Sequence, residues 1–143
     1  MAIELIPAAA ISSSALDAER ARMEITANNL ANVQSTGKNG QVYSRRIPVF
    51  EAVYSEQFGH DGIQNLAGVK MKDIVADPRQ PLELYAPYHP SADQKTGMVK
   101  MPNISPIEEM VDMIAATRAY EANLSVIKQS RDIADKTITL GRQ

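Results

Sequence analysis

The chain has 143 residues, a formal net charge of −2, 22% charged and 5% aromatic residues, and neither cysteine nor tryptophan. That length suits one compact domain or one small domain with extensions. The balance offers no basic face for nucleic acid and no acidic interaction tail, and the missing cysteines exclude disulfides, thiol catalysis and thiolate-bound zinc.

The N-terminal MAIELIPAAAISSS has no basic region, and Glu4 and Pro7 interrupt its short apolar run, so it is a poor secretory leader. No apolar stretch approaches the ~18 residues of a membrane span, so direct membrane insertion is not expected. A first helix is predicted over about 8 to 33. It starts either with Pro7 in its first turn or later, at the S-x-x-D pattern of Ser14 and Asp17. One face carries Ile11, Ala15, Ala18, Ile25 and Val33, and a second carries Leu16, Met23, Ala27 and Leu30. One partner helix cannot cover both.

The helix ends on ITANNLAN, with Asn28, Asn29 and Asn32 inside five positions. Each asparagine costs a helix up to ~0.7 kcal/mol relative to alanine. Two readings stand side by side. The amides mark a fraying end, or they serve an interface, where each supplies both a donor and an acceptor to backbone groups that water does not reach. In the second reading Asn32 takes the left-handed cap position.

Ser35–Gly40 is turn-rich. Gly37 and Gly40 lack the spacing and the Lys-Ser/Thr ending of a phosphate loop. A strand is predicted from Tyr43 to Val53, with Pro48 arguing for an edge position. Arg45 and Arg46 read by default as a solvated face of that strand. A turn covers 58–62. Further strands are predicted over 69–76 and 82–85. Prolines 78, 81, 87, 90, 102 and 106 exclude regular helix between 77 and 106, so this segment is expected to run extended along a surface rather than fold on itself. Met98 and Met101 read as adaptable contacts. His60-Asp61 and His89 with Asp93 are the one arrangement resembling a metal or acid–base site. Both lie in turns where exposed polar residues are ordinary, and no metal or cofactor is expected.

The last segment is the clearest. Ser105, Pro106 and Glu108 form a capping box with a proline start, which also accounts for Ser105 without any nucleophilic role. A helix of about 36 residues follows, ~54 Å at 1.5 Å per residue, with Gly141 placed to stop it. Positions 110, 113, 117, 120, 124, 127, 131, 134 and 138 alternate spacings of three and four. Met110, Met113, Tyr120, Leu124, Ile127, Ala134 and Ile138 make an apolar seam of coiled-coil type, broken at Thr117 and Arg131. The small middle cannot cover so long a seam. The fold expected is mainly α, with the N- and C-terminal helices (1–34 and 105–143) paired as a coiled coil around an extended, β-rich insert (35–104). Apolar surface left over implies partners.

ANNLANVQSTG (27–37) resembles the N-terminal signature of the bacterial flagellar axial proteins, the family of rod, hook and hook-associated subunits. MVDMIAATRAYEANLSVIKQSRDIADKTITL (110–140) resembles the matching C-terminal signature. YSRRIPVFEAV (43–53), and above all HPSAD (89–93) and GMVKMPNIS (97–105), resemble the C-type proximal rod branch of the family. Ser12–Ser14 departs from it, standing where relatives often carry a glycine. The resemblance implies a non-enzymatic structural subunit of the basal-body rod. Such a subunit leaves through the flagellar export apparatus without cleavage and polymerises helically with copies of itself and related rod subunits into a hollow, torque-transmitting shaft in the periplasm. Two other readings are a different rod or hook subunit of the family and a cytosolic coiled-coil adaptor. A small metal hydrolase would need the histidine site.

Overall fold

The computed structural model describes residues 7–36, 42–55 and 65–141. In chain order these form α1 (Pro7–Ala31), β1 (Arg46–Ser55), β2 (Asn65–Ala76), β3 (Leu82–Tyr85), β4 (Met98–Met101) and α2 (Pro106–Leu140). His60, Asp61, Gly37 and Gly40 lie outside the described residues.

The two helices lie side by side and run antiparallel. Asn29 meets Glu109, Arg22 meets Asp112 and Met23 meets Thr117, so positions descend along α1 as they ascend along α2. The helix begins at Pro7 and not at Ser14. The Ser14 hydroxyl instead donates to the Ile11 carbonyl (2.7 Å) within the helix. The start of α2 is set as expected: Ser105 is the N-cap, its Oγ accepts from the Glu108 N–H (3.4 Å), and Pro106 follows. At the other end the Gly141 N–H donates to the Thr137 carbonyl.

The face that α2 turns inward differs from the expected seam. Side chains that lose exposure recur at Glu109, Met113, Ala116, Tyr120, Asn123, Ile127, Ser130 and Ala134, again at alternating fours and threes. Met113, Tyr120, Ile127 and Ala134 belong to both sets. Met110, Thr117, Leu124, Arg131 and Ile138 are exposed, and the places of the first four are taken by residues one position earlier. Ala116 is 0% exposed. A small side chain there lets two helix backbones approach closely, whereas counting apolar residues favours the bulkier neighbouring row.

β1 and β2 form an antiparallel two-stranded ribbon with irregularities after Val49 and Val53. A ribbon of two strands has only edges, which is why Pro48 is tolerated opposite Ile74. The ribbon packs against α1. Ser14 Oγ accepts from the Val69 N–H (3.1 Å). Gly68 sits so close that a Cβ there would stand 2.3 Å from the Ser14 oxygen, at a φ of +152°.

The proline-rich segment folds on itself, contrary to the expectation of a simple extended run. β3 pairs with β4, Leu82 opposite Met101 and Tyr85 opposite Met98. The 86–97 loop closes through Ala86 N–H to Gly97 O, Asp93 N–H to Met98 O and Gly97 N–H to Asp93 O. Prolines lie in the connections and leave the four paired positions of each strand free to bond. Val99, Pro102 and Ile104 are buried behind this hairpin.

Candidate assembly interface

Asn29 is the structural centre of the molecule. It is 1% exposed and uses every hydrogen-bonding position of its amide. Nδ2 donates to the Arg46 carbonyl (2.9 Å) and to Glu109 Oε2 (3.0 Å). Oδ1 accepts from the Arg46 N–H (2.9 Å) and from the Tyr43 hydroxyl (3.0 Å). The amide thus grips both backbone groups of the first residue of β1, as a neighbouring strand would, and holds α2 at the same time. Burial raises the Tyr43 pKa above its ordinary value, with Arg46 pulling the other way and Glu109 adding to the rise.

Glu109 is equally buried, 1% exposed. Its second oxygen accepts from Arg45 Nε at 2.6 Å. The same guanidinium reaches Asp112 at 3.4 Å and Asp77 at 3.9 Å. Asp77 is bonded in turn by Arg79, Nη2 at 2.8 Å and Nε at 2.9 Å, and that side-chain bond is the main cause that holds the Asp77 carboxyl below the usual carboxylate range. A buried carboxylate left unpaired would cost about 3–5 kcal/mol. Here an amide and a guanidinium satisfy it, and α1, the start of β1, the end of β2 and α2 meet at one polar clasp.

The three asparagines therefore divide. Asn29 points inward. Asn28 is exposed, and its Nδ2 donates to the Glu24 carbonyl one turn back. Asn32 Nδ2 donates to the Asn28 carbonyl, and its Oδ1 accepts from the Ser35 hydroxyl. Ile25 is buried and Leu30 half-buried beside them. Arg45 and Glu109 were not singled out by sequence reasoning as a pair. Arg45 reads from sequence as part of a solvated strand face, and nothing local distinguishes Glu109 from the neighbouring acids Glu108 and Asp112. The one available signal was Glu109 standing in the heptad row of Ala116, Asn123 and Ser130, a row that apolar counting passes over.

His89 Nδ1 accepts from the Ser91 N–H (3.1 Å), and Asp93 Oδ1 accepts from the Lys95 N–H (2.8 Å). Both side chains are engaged in turns. Among the described residues no cluster of three metal-ligating side chains occurs, and no helix is long and apolar enough to cross a membrane. Gly97 has φ +68°, and a Cβ there would stand 2.9 Å from the Tyr85 ring, so the loop that carries HPSAD requires glycine at that place.

What the fold leaves open is apolar. Among the described residues six apolar side chains are buried: Ala18, Ile25, Val99, Pro102, Ile104 and Ala116. Exposed apolar residues are far more numerous. Ile107 (73%), Met110, Val111 and Ile114 form a ridge on the outer side of α2, and Ile133, Ile138 and Leu140 line its far end. Tyr88 is 100% exposed at the tip of the second hairpin.

Residues 10–37 match the family described as "Flagella basal body rod protein", and residues 95–140 match "Flagellar basal body rod FlgEFG protein C-terminal". The flagellar basal-body rod protein FlgC of Aquifex aeolicus is 38% identical over 94% of this chain and 96% of its own length. The chain belongs to the flagellar basal-body rod protein family. The FlgC proteins of Yersinia enterocolitica (38% identity over 92% of this chain and 94% of that protein) and Agrobacterium fabrum (37% over 95% and 94%) are similar to it to the same degree. The two family matches fall on α1 and on the segment from the second hairpin through α2. The paired helices of this rod protein therefore coincide with the family's own two signatures.

Proposed function

We propose that this rod-family chain is a structural subunit of the proximal basal-body rod. It polymerises helically with copies of itself and with related rod subunits into the hollow shaft that transmits torque. The helix pair, 1–34 with 105–143, is its polymerising unit, and 35–104 is the insert that the helices carry. The reading includes passage through the flagellar export apparatus without cleavage and a place in the periplasm. It includes no catalysis, cofactor, nucleic acid or small-molecule substrate.

The observation that carries the reading is the excess of exposed apolar residues over buried ones along α2. Apolar ridges of that extent mark binding surfaces, and contacts between unlike patches that do not close into a ring continue as a filament. Identity with rod proteins over almost the whole chain supports this over a cytosolic adaptor or a hydrolase. The test is complementation of a flagellated bacterium lacking its own subunit of this type. The unaltered chain is expected to restore swimming and to co-purify with basal bodies. Ile133→Glu with Ile138→Glu is expected to abolish both while leaving the isolated chain as stable as before. Normal rod incorporation of that double variant overturns the reading.

A further inference from the structure

Two bulges divide the β1–β2 ribbon into three parts. Arg46–Val49 pair with Asp73–Ala76, Phe50–Val53 with Gly68–Met71, and Tyr54–Ser55 with Asn65–Leu66, while Lys72 and Ala67 stand between them with no residue opposite. An extra residue on one strand bends it and interrupts the ladder. The inner part is fixed at its start, because Asn29 bonds both backbone groups of Arg46. The middle part lies beyond the first bulge and needs a hold of its own. Among the described residues, one side chain of α1 outside the clasp bonds the ribbon. It is Ser14, whose Oγ accepts from the Val69 N–H at 3.1 Å, fifteen residues or about 22 Å from Asn29 along the helix.

We propose that Ser14 and Gly68 are a matched pair that latches the middle of the ribbon to α1, and that the bulge at Lys72 is the hinge about which the ribbon lifts when the latch opens. Ser14 suits the task because its hydroxyl proton is committed. It donates to the Ile11 carbonyl at 2.7 Å within the helix, which leaves the oxygen free to accept from outside it. Gly68 suits it because the strand comes so near. A Cβ at 68 would stand 2.3 Å from Ser14 Oγ and 3.0 Å from Ser14 Cβ, so any larger residue drives the oxygen away from the adjacent Val69 N–H. Neither residue serves without the other. Alanine at 14 offers Val69 no acceptor, and a side chain at 68 displaces the acceptor that serine supplies. The hinge itself is lightly braced. Lys70 and the bulged Lys72 both reach Glu51, each at 3.2 Å, and ion pairs at such exposed positions contribute little. Ser14 is thus a positioning residue for the ribbon, separate from the clasp.

The experiment uses the isolated full chain, so its outcome is independent of rod incorporation. The chain has no cysteine, which lets spin labels be placed on introduced pairs. Asp17→Cys with Ala52→Cys reads across the latch, and Glu24→Cys with Asp73→Cys reads across the inner part. Both distances are measured by pulsed electron paramagnetic resonance, and exchange of the Val69 amide by NMR on the unlabelled chain. Ser14→Ala is expected to speed Val69 exchange about tenfold and to lengthen and broaden the 17–52 distance, with the 24–73 distance unchanged. Gly68→Ala is expected to do the same. Ser14→Gly removes both atoms that a Cβ at 68 would meet, so adding Gly68→Ala to it is expected to change Val69 exchange by less than about twofold. Ser13→Ala, on the exposed neighbour, is expected to alter neither reading. Val69 exchange unmoved by Ser14→Ala, both distances lengthening together, or an undiminished effect of Gly68→Ala on top of Ser14→Gly would each overturn the proposal.

Discussion

Asn29 shows how one side chain can be costly to a helix and still be required by the fold. Its penalty as a helix former is a few tenths of a kcal/mol, while the groups it satisfies would cost several times more if left bare. Its partner across the clasp should behave in the same way. Arg45→Ala leaves Glu109 buried without a cation and is expected to destabilise the chain by about 3–5 kcal/mol, read by urea unfolding. At the ribbon's far anchor, Gly68→Ala drives a methyl into Ser14 Oγ at a φ that L residues rarely adopt. A loss of about 1–3 kcal/mol is expected in the same assay. Asp77 gives a pH signature. Its folded pKa is lowered, chiefly by the side-chain bond from Arg79, so its contribution is complete above the ordinary carboxylate range near 3.8 and disappears as pH falls through the lower folded value. Asp77→Asn should flatten the acid limb of the stability profile below about pH 4 and leave the neutral region almost unchanged in shape.

At the scale of elements, the two helices draw their stability from different sources. α2 has a capped start with Ser105, Pro106 and Glu108 in place, and Ser105→Ala is expected to cost about 1 kcal/mol in thermal or urea unfolding. Its contact with α1 depends on a small residue rather than a large one. Ala116→Leu places an isobutyl group where nothing is exposed, forces the helices apart, and is expected to cost about 1–3 kcal/mol. Ile114→Ala, on the outer ridge, should leave the isolated chain within about 0.5 kcal/mol of the parent yet weaken incorporation into basal bodies. The two hairpins are each too short to stand alone. The first is held by α1, at Asn29 and Ser14, some fifteen residues or about 22 Å apart along the helix. The second is held by Val99 and Ile104 beneath it.

At the scale of the molecule, the chain is built as a component. The helix pair has unequal members, 25 residues against 35, and the longer one carries its apolar surplus outward and beyond the end of the shorter. Far-UV circular dichroism of the isolated chain is expected to report less helix than the assembled state, with the gain on assembly concentrated in the far end of α2. Asn29, Arg45 and Glu109 join the start of the ribbon to both helices.

Local chemistry was enough to place most of the elements. The capping box placed the start of α2 because a helix end must satisfy its own N–H groups within a few residues. Alternation and proline placed β1 and marked it as an edge. The count of exposed against buried apolar residues followed from there being a long heptad pattern with too little chain to cover it. Three things required the tertiary structure. The facing row of α2 is chosen by how closely two backbones approach, and Ala116 outweighs Leu124 there although it is the less hydrophobic. The pairing of β3 with β4 joins residues across a proline-rich loop whose closure depends on Gly97 and Asp93 meeting in space. The clasp brings together Asn29, Arg45, Asp77 and Glu109, positions up to 80 residues apart, and charge complementarity between distant positions has no period for a linear pattern to show.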